Sequence, residues 1–462
     1  MLIAMKNYSK SLFIFRRDLR LVDNASLNQA LLKSNEVILC FIFDPAQVED
    51  SNSYRSINAI QFMLDSLSEI DEQLKKVNSR LNFFYGNAVD IIKNLIVSEK
   101  IDAVFINRDY TPFSLNRDER IMKTCIQHHC AFISSNDVLL HEPEQVLTGN
   151  GTPYSIFTAF YKKSLTIPVA SPEKLAGKNF YKKKIAGSYG PEIFKKILTQ
   201  KNKLIWLHGG SKNGLSILKS IDDLKDYQKT RDYPELSTSY LSAHLKFGTI
   251  SIRQTYQAIV QALGNAHPLL RQLYWRDFFT HVAYHSPFIF GQAFHEKYNK
   301  LPWKNNKKDF EAWCAGKTGF PIVDAGMRQL NTTGWMHNRA RLIVASFLTK
   351  DLHIDWRWGE RYFAQKLVDY DPAVNNGNWQ WSASTGCDAQ PYFRIFNPWL
   401  QQVKFDKECR YIKKWIPELK KIDPKIIHTW YDTKNVALKN YTKPIVDHAQ
   451  ESARSKLIYK NI

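Results

Sequence analysis

The first third of the chain alternates short apolar runs with segments in which apolar residues recur every three or four positions. Runs this short are typical of strands buried on both faces of a sheet, and the segments between them are typical of helices. The pattern predicts a doubly wound α/β domain with a parallel sheet over residues 1–140. The five runs lie at residues 12–15, 37–43, 81–86, 103–107 and 131–134.

The turn after the first run reads RRDLRLVDN, at residues 16–24. It has none of the glycines that hold a dinucleotide phosphate at this place, so a dinucleotide in the usual position is not expected. Sheets of this kind bind their ligands at the carboxyl ends of the strands. Asn24 or Asp23 is expected to cap the helix that begins at Ala25.

Residues 141–205 are polar and rich in lysine, proline and glycine, which indicates a connector. From Trp206 onward the spacing of three and four returns, and strand alternation does not. Examples lie at residues 216–230, 252–263 and 338–352. We therefore predict a second, mostly helical domain over residues 206–462.

Charge divides the chain at a similar place. Residues 1–140 carry 16 basic and 17 acidic side chains, the other 322 residues carry 48 and 27, and all 12 tryptophans lie in that second part. Lysine and arginine interleaved with flat rings are what a nucleic-acid-binding surface needs. Charge alone leaves open a generally basic surface without such a partner.

Hydrophobic residues make up 44% of the chain, which excludes disorder as the main state. No apolar run is long enough for a membrane span or a signal peptide, so we expect a soluble protein that is not exported. Six scattered cysteines form no C-x-x-C pair, and therefore neither a metal site nor a disulfide framework is indicated.

Three stretches between residues 269 and 398 combine seven tryptophans with polar side chains that a hydrophobic core does not need. Each such group costs about 1–3 kcal/mol when it is buried without a partner. Helical spacing places four residues on one face, and Asp369 is the candidate partner of the arginine among them. A pocket for a large conjugated cofactor fits this pattern, and so does a salt-bridged helix core. The four residues are Asn338, Arg341, Leu342 and Ala345.

The strings TGWMHNR, NNGNWQW and DAQPYFRIFNP, together with FRRDLRLVDN and TSYLSAHLKFGTIS, resemble the photolyase/cryptochrome family over nearly the whole chain. They are most similar to the class I cyclobutane pyrimidine dimer photolyases. The resemblance implies an α/β antenna domain followed by an all-α FAD-binding domain. It also implies light-driven repair of pyrimidine dimers, in single- or double-stranded DNA, by electron transfer from reduced FAD. A monomer is expected, in the cytoplasm and associated with the nucleoid if the source is bacterial.

The resemblance also assigns roles to individual residues. Contacts to the FAD phosphates and ribose fall on Tyr227, Thr238, Ser239, Tyr240, Leu241 and Ser242. Contacts to the flavin ring fall on Asn338, Arg341, Asp369, Tyr370, Asp371 and Asn375. The electron-transfer chain falls on Trp379, Trp356 and Trp303. The lesion and the DNA are expected to contact Arg231, Gln272, Trp275, Arg276, Asn338, Arg339, Trp381 and Gln401. The alternatives are an ordinary helix cap for Thr238 and Ser239, and plain packing for the tryptophans.

Two departures bear on the lesion. Class I enzymes usually have glutamate where Gln272 stands and methionine where Leu342 stands. Six-four photolyases also have glutamine at the first position, but they place histidines where this chain has Asn338 and Leu342. Dimer repair is therefore favoured. The alternatives are six-four repair, a cryptochrome-like blue-light photoreceptor, or a flavin protein that binds DNA without repairing it.

The antenna chromophore is open at this point. Folate-binding members have glutamate about where Thr111 sits. A folate, a deazaflavin, a second flavin or no antenna all remain possible from the sequence.

Overall fold

The computed structural model describes residues 7–432 and 441–462 of the chain. These residues divide into two units. The first comprises the chain up to Asn202, Leu207–Lys225 and Ser239–Pro287; the second comprises Lys203–Trp206, Asp226–Thr238 and the chain from Phe288 onward. Most of the predicted connector thus groups with the sheet, and the domain boundaries at 140 and 205 stay a prediction.

A five-stranded parallel sheet lies in the first unit, as the apolar runs predict. Successive residues of a strand point to opposite faces, yet Leu12, Phe13, Ile14 and Phe15 are all buried. Both faces of the sheet are therefore covered, which explains why the runs are continuous rather than alternating. The strand order is β3-β2-β1-β4-β5, with β1 (Tyr8–Phe15), β2 (Ser34–Phe43), β3 (Asn82–Tyr85), β4 (Ala103–Asn107) and β5 (Ala131–Ser135).

Helices connect the strands. The side chain of Asn24 accepts a hydrogen bond from the backbone N–H of Leu27 at 3.2 Å, which confirms the cap expected before Ala25. The helices up to residue 285 are α1 (Ala25–Lys33), α2 (Pro45–Val48), α3 (Ile57–Lys75), α4 (Ala88–Glu99), α5 (Pro112–Gln127), α6 (Phe157–Ser164), α7 (Phe194–Ile197), α8 (Ser211–Lys219), α9 (Tyr227–Thr230), α10 (Ser242–Phe247), α11 (Ile252–Leu263) and α12 (Pro268–His285). Of these, α9 belongs to the second unit.

Three buried charged side chains and a half-buried arginine fix the turn that follows β1. Arg20 Nη2 and Arg253 Nη2 each lie 2.7 Å from an oxygen of Asp137, and Arg253 Nε lies 3.1 Å from Asp23 Oδ2. Burial alone raises the pKa of Asp137, but the two guanidinium groups outweigh it and hold that pKa below its usual value. The charges neutralise one another, so their burial is tolerated. The glycine-free turn is therefore part of the scaffold that attaches α11 to the sheet.

The second unit is helical, and the described residues after Trp206 contain no strand, as predicted. A π-helix at Phe347–Asp351 continues directly from α15. The helices after residue 287 are α13 (Lys307–Ala315), α14 (Pro321–Thr333), α15 (Asn338–Ser346), α16 (Trp356–Lys366), α17 (Pro372–Ala383), α18 (Pro398–Phe405), α19 (Arg410–Trp415), α20 (Pro424–His428) and α21 (His448–Lys460).

The stretch 216–230 is not continuous helix, although its spacing favours one. It is divided into the end of α8, a 3-10 turn at Ile221–Leu224, and α9. Ser220 follows the last residue of α8, and its hydroxyl donates to carbonyl groups of the preceding turn at 3.3 and 3.4 Å. Serine competes with the helix backbone in this way, and the helix ends there.

One hydrophobic core fills the second unit. Trp313, Trp356 and Trp379 are buried within it, and Trp303 packs against it while partly buried. No helix in the described part of the chain is long and apolar enough to cross a membrane. The six cysteines are free thiols, and all except Cys314 are buried.

Candidate functional site

Helices α15, α16 and α17 line a cavity in the second unit. The cavity contains about 650 Å³ of empty space, part of it open to solvent. Its lining combines apolar side chains with amides, carboxylates and one guanidinium, so it is suited to a ligand that is partly planar and partly polar. The lining residues are Asn338, Arg341, Leu342, Ala345, Phe363, Leu367, Asp369, Tyr370, Asp371, Val374, Asn375, Asn378, Trp379 and Ser382.

Helix α15 presents one face to this cavity. Asn338, Arg341, Leu342 and Ala345 all line it, which confirms the face predicted from their spacing. The N-cap of the helix is His337, whose Nδ1 accepts a hydrogen bond at 3.1 Å from the backbone N–H two residues further on. Burial lowers the pKa of His337 to about 4, so the ring is neutral at pH 7 and can act as this acceptor.

An ion pair joins α15 to the loop before α17. Arg341 Nη2 donates to Asp369 Oδ2 at 2.8 Å, as predicted, and Arg341 Nε donates to the carbonyl of Met336 at 2.8 Å. The other carboxylate oxygen, Asp369 Oδ1, is buried and has no partner among the described residues. Because Asp369 lines the cavity, a ligand with an N–H or O–H group can supply the missing donor.

Helix α17 brings two further polar side chains to the cavity. Asp371 is its N-cap and accepts hydrogen bonds from the backbone N–H groups of Ala373 at 3.1 Å and Val374 at 3.3 Å. One turn later, Asn375 Nδ2 donates to the backbone carbonyl of Glu360 at 3.0 Å and to its carboxylate at 3.3 Å. The amide nitrogen of Asn375 is thus engaged, and its carbonyl oxygen is left to accept a hydrogen bond.

Trp379 forms an aromatic part of the cavity wall. Its ring meets Phe363 edge to face at a centroid distance of 4.9 Å and Trp313 at 6.2 Å. A Cβ at Gly359 would lie 2.1 Å from the Trp379 ring, so only glycine allows this approach of α16 and α17. The indole Nε1 is buried and has no partner among the described residues. It is a second unmet polar atom at the cavity.

The other predicted electron-transfer tryptophans do not line the cavity. Trp356 is buried in the core that also contains Trp379, and Trp303 packs against that core while partly exposed. Trp381, which is expected to contact the lesion, is half-buried on α17. One hydrophobic core therefore includes Trp379, Trp356 and Trp303, and their redox role stays a prediction.

Two of the predicted DNA-contacting arginines are held by neighbours within the second unit. Arg339 Nη2 donates to Asp232 Oδ1 at 2.7 Å, and its guanidinium lies 4.3 Å from the ring centre of Phe405. Arg231 lies over the ring of Tyr227 at 5.5 Å. Both side chains keep some exposure, 14% for Arg339 and 29% for Arg231. Each is thus an oriented cation that solvent still reaches.

Gln401 is half-buried on α18. Its side-chain oxygen is buried and has no partner among the described residues. A buried acceptor of this kind is open to a donor from a ligand.

The first unit contains the other predicted substrate residues, all on α12. Gln272, Trp275 and Arg276 share one helical face and are each half-buried. The ring of Trp275 stacks on Phe157 of α6 at a centroid distance of 3.6 Å. Arg276 donates to the carbonyl of Val138 at 2.8 Å, so part of its guanidinium is engaged inside the unit.

The predicted phosphate-binding stretch is divided between the units, with Tyr227 and Thr238 in the second and residues 239–242 in the first. Helix α10 begins at Ser242, its N-cap is Leu241, and no side chain caps it. Thr238 and Ser239 are therefore not the ordinary caps of this helix. Tyr240 adopts a left-handed backbone conformation, with φ of 52°. Thr111, by contrast, is an ordinary cap: its hydroxyl accepts from Ser114 N at 3.2 Å.

Sequence reasoning missed the residues that orient these side chains. Glu360 holds the amide of Asn375, Gly359 admits Trp379, and Asp232 with Phe405 holds Arg339. Only Asp232 had a usable signal, because it directly follows Arg231 in the sequence. The others become neighbours only through the packing of separate helices.

Comparison with known proteins identifies the family. The family model of DNA photolyase matches residues 11–175, and the model of the FAD binding domain of DNA photolyase matches residues 269–461. The second match includes every residue that lines the cavity. The flavin-ring contacts predicted from the motifs therefore lie within a region that is typical of FAD binding.

Relatives are similar over nearly their whole length. A deoxyribodipyrimidine photo-lyase of Synechococcus sp. is 36% identical over 98% of this chain and 96% of its own. An archaeal photolyase structure from Sulfolobus tokodaii, with two FAD molecules, is 44% identical, has a TM-score of 0.89 and covers 98% of this chain and 100% of its own. A cryptochrome structure from Synechocystis sp. is 27% identical, has a TM-score of 0.89 and covers 98% of this chain and 100% of its own. This chain belongs to the photolyase/cryptochrome family.

Proposed function

We propose that this protein repairs cyclobutane pyrimidine dimers in DNA and that light drives the reaction through bound, reduced FAD. The observation that carries the proposal is the polar set of the cavity, which Arg341, Asp369 and Asn375 line together; these are the residues that the family motifs predict as flavin contacts. Relatives named deoxyribodipyrimidine photo-lyase, at about 36% identity over nearly the full chain, support the same reaction.

The residues of the cavity fit a flavin. Among the described residues, Asp369 Oδ1 has no donor, and the Asn375 amide nitrogen donates to Glu360, which leaves its carbonyl oxygen to accept. A flavin ring offers N–H donors and carbonyl acceptors along its edge, with apolar faces between them. When bound in the reduced form, FAD would supply the light-driven electron transfer that opens the cyclobutane ring.

The chain's own contribution is to bind and orient. Arg341 neutralises Asp369, so a carboxylate can remain buried beside the ligand. Asn375, fixed by Glu360, presents an acceptor, while Leu342 and Phe363 add apolar side chains to the cavity wall. The stretch from Thr238 to Ser242 is the proposed contact to the FAD phosphates and ribose, because it matches the family motif at this place.

Dimer-containing DNA, single- or double-stranded, is the proposed substrate. The chain carries a net charge of +20, which favours binding to a polyanion. Arg231 and Arg339 are the proposed phosphate contacts, because each is oriented by neighbours and still reached by solvent. Trp275 and Trp381 offer apolar ring surface to the lesion, which is already poorly stacked and so costs little to extrude; photolyases are among the enzymes for which base flipping is a general model.

We further propose that the antenna chromophore is a second flavin. The Sulfolobus tokodaii photolyase, which is 44% identical to this chain, is described as holding two FAD molecules. Folate is disfavoured because Thr111 is the N-cap of α5 and supplies no carboxylate. Extraction of the bound small molecules and mass spectrometry is the measurement: two FAD per chain supports the proposal, and a folate or a deazaflavin contradicts it.

Six-four repair is the second candidate, because Gln272 departs from the glutamate of class I enzymes. Against it, Asn338 and Leu342 provide no titratable group on the cavity face of α15, whereas acid catalysis needs one. The test compares both lesions in wild type and Gln272→Glu under blue light. Dimer repair that is retained or improved in the variant supports the proposal, because a buried carboxylic acid has a raised pKa and can donate more strongly than an amide. Six-four repair without dimer repair contradicts it.

A further inference from the structure

Phe157 lies against the tryptophan that is expected to contact the lesion. Its ring and that of Trp275 are 3.6 Å apart between centroids and only 6° from parallel. Phe157 is 1% exposed, while Trp275 is half-buried. One face of the indole is therefore covered, and a ligand can reach only the rest of the ring.

The face-to-face stacking of Phe157 on Trp275 is not the preferred geometry of an isolated aromatic pair. Aromatic pairs prefer offset or edge-to-face arrangements, because the two negative faces of a sandwich repel. Here the guanidinium of Arg271 lies 5.2 Å from the centre of the Phe157 ring, and a cation there offsets that repulsion. Phe278 meets the indole edge to face at 5.7 Å. The plane of Trp275 is thus defined by neighbours on a face and on an edge.

Helix α6 supplies the rigidity of this arrangement. Phe157 is its first residue, and Phe160, one turn later, is buried against Phe278 and His281. The helix also brings Tyr161, whose ring is parallel to Phe157 within 11° at 5.7 Å. Because α6 is anchored through Phe160, the Phe157 ring has a fixed position relative to α12.

We infer that Phe157 is a positioning residue, which holds the plane of Trp275 and so raises the preference for damaged over undamaged DNA. The inference rests on the proposed function, in which Trp275 contacts the lesion. A side chain that is already ordered loses less rotamer freedom on binding. Undamaged DNA, whose bases stay stacked in the duplex, does not contact the Trp275 ring, so the fixed position of this ring does not raise the affinity for undamaged DNA.

The experiment measures dissociation constants of the flavin-loaded protein in the dark, for an oligonucleotide with one thymine dimer and for its undamaged copy. Phe157→Leu removes the stacked ring and keeps an apolar side chain. Phe83→Leu is the matched control, since it makes the same change at a fully buried ring of the same unit, on β3, where the ring packs against Phe43 and Phe194. We expect the ratio of the two constants to fall about two- to tenfold in Phe157→Leu and to stay at the wild-type value in Phe83→Leu.

Trp275→Ala separates the inference from the proposed function. In that background Phe157→Leu is expected to cause no further loss, which a general structural role would not predict. An equal loss with and without Trp275, or the same ratio in both leucine variants, overturns the inference alone. Wild-type discrimination in Trp275→Ala overturns the lesion contact itself and the inference with it. If Phe157→Leu fails to retain flavin, Phe157→Met is measured with the same expected loss.

Discussion

Replacing Arg341 by alanine removes the ion pair with Asp369 at the predicted flavin pocket and so tests the role of this pair. Among the described residues, the guanidinium of Arg341 is the one hydrogen-bond donor to Asp369, through the oxygen Oδ2. The other carboxylate oxygen, Oδ1, has no donor there. The Asp369 side chain is 3% exposed, so Arg341→Ala leaves a buried anion without a partner. Such a change costs about 3–5 kcal/mol. Because Arg341 itself is 24% exposed, we expect the lower end, about 3 kcal/mol.

A loss of about 3 kcal/mol corresponds to a fall in Tm of roughly 6–12 °C for a unit of this size. The same loss in FAD affinity corresponds to roughly 100-fold, enough to remove flavin during purification. The assay is the flavin-to-protein ratio from absorbance, followed by thermal unfolding of the flavin-free proteins. Stoichiometric flavin and an unchanged Tm in Arg341→Ala would show that the Arg341–Asp369 pair supports neither the fold nor the flavin.

Two controls identify the buried charge as the cause. Adding Asp369→Asn to Arg341→Ala removes the unpaired anion, so part of the lost Tm is expected to return. Arg328→Ala removes the pair that Arg328 makes with Glu418 at 2.8 Å in the same unit, where the side chains are 20% and 33% exposed. That pair is expected to contribute less than about 1 kcal/mol to the free energy of unfolding, and its loss is expected to leave the flavin bound.

Trp379→Phe removes an indole N–H that has no partner among the described residues and keeps an aromatic ring, so fold and flavin are expected to persist. Photoreduction of the oxidised flavin should slow severely while repair by chemically reduced protein survives, and normal photoreduction would exclude Trp379 from the path. Arg231→Ala should weaken binding to damaged and undamaged DNA alike and should reduce the dependence of the affinity on salt concentration by about one phosphate contact. Lys123→Ala, which makes the same charge change on α5, should leave this salt dependence unaltered. Burial raises the pKa of Asp277 to about 7, so between about pH 4 and pH 7 the folded state keeps a proton that the unfolded chain has lost, and the free energy of unfolding falls as pH rises through this range. The free energy of unfolding in urea should therefore differ less between pH 5 and pH 8 in Asp277→Asn than in wild type. The same difference in both proteins would contradict this.

The strands and one face of the site were predictable because their patterns are local. A run of consecutive apolar residues indicates a strand covered on both sides, and the spacing of Asn338, Arg341, Leu342 and Ala345 defines a helical face before any partner is known. The flavin itself was inferred from family motifs, since the spacing alone also fits a salt-bridged core.

The rest depended on contacts between distant segments. Nothing in the connector indicated that Phe157 would stack on Trp275, or that Glu360 would hold Asn375. The stretch 216–230 is interrupted at Ser220, whose hydroxyl donates to carbonyl groups of the preceding turn, and the apolar spacing alone does not indicate this break. Packing between elements, which a single sequence does not encode in its periodicity, decided these positions.

The reduced, flavin-loaded protein is proposed to open cyclobutane dimers in the light. The most direct measurement incubates it with an oligonucleotide that contains one thymine dimer, under blue light and in the dark, and quantifies the restored thymines by chromatography. We expect many turnovers per protein in the light and none in the dark. Fully reduced protein that leaves the dimer intact after illumination contradicts it.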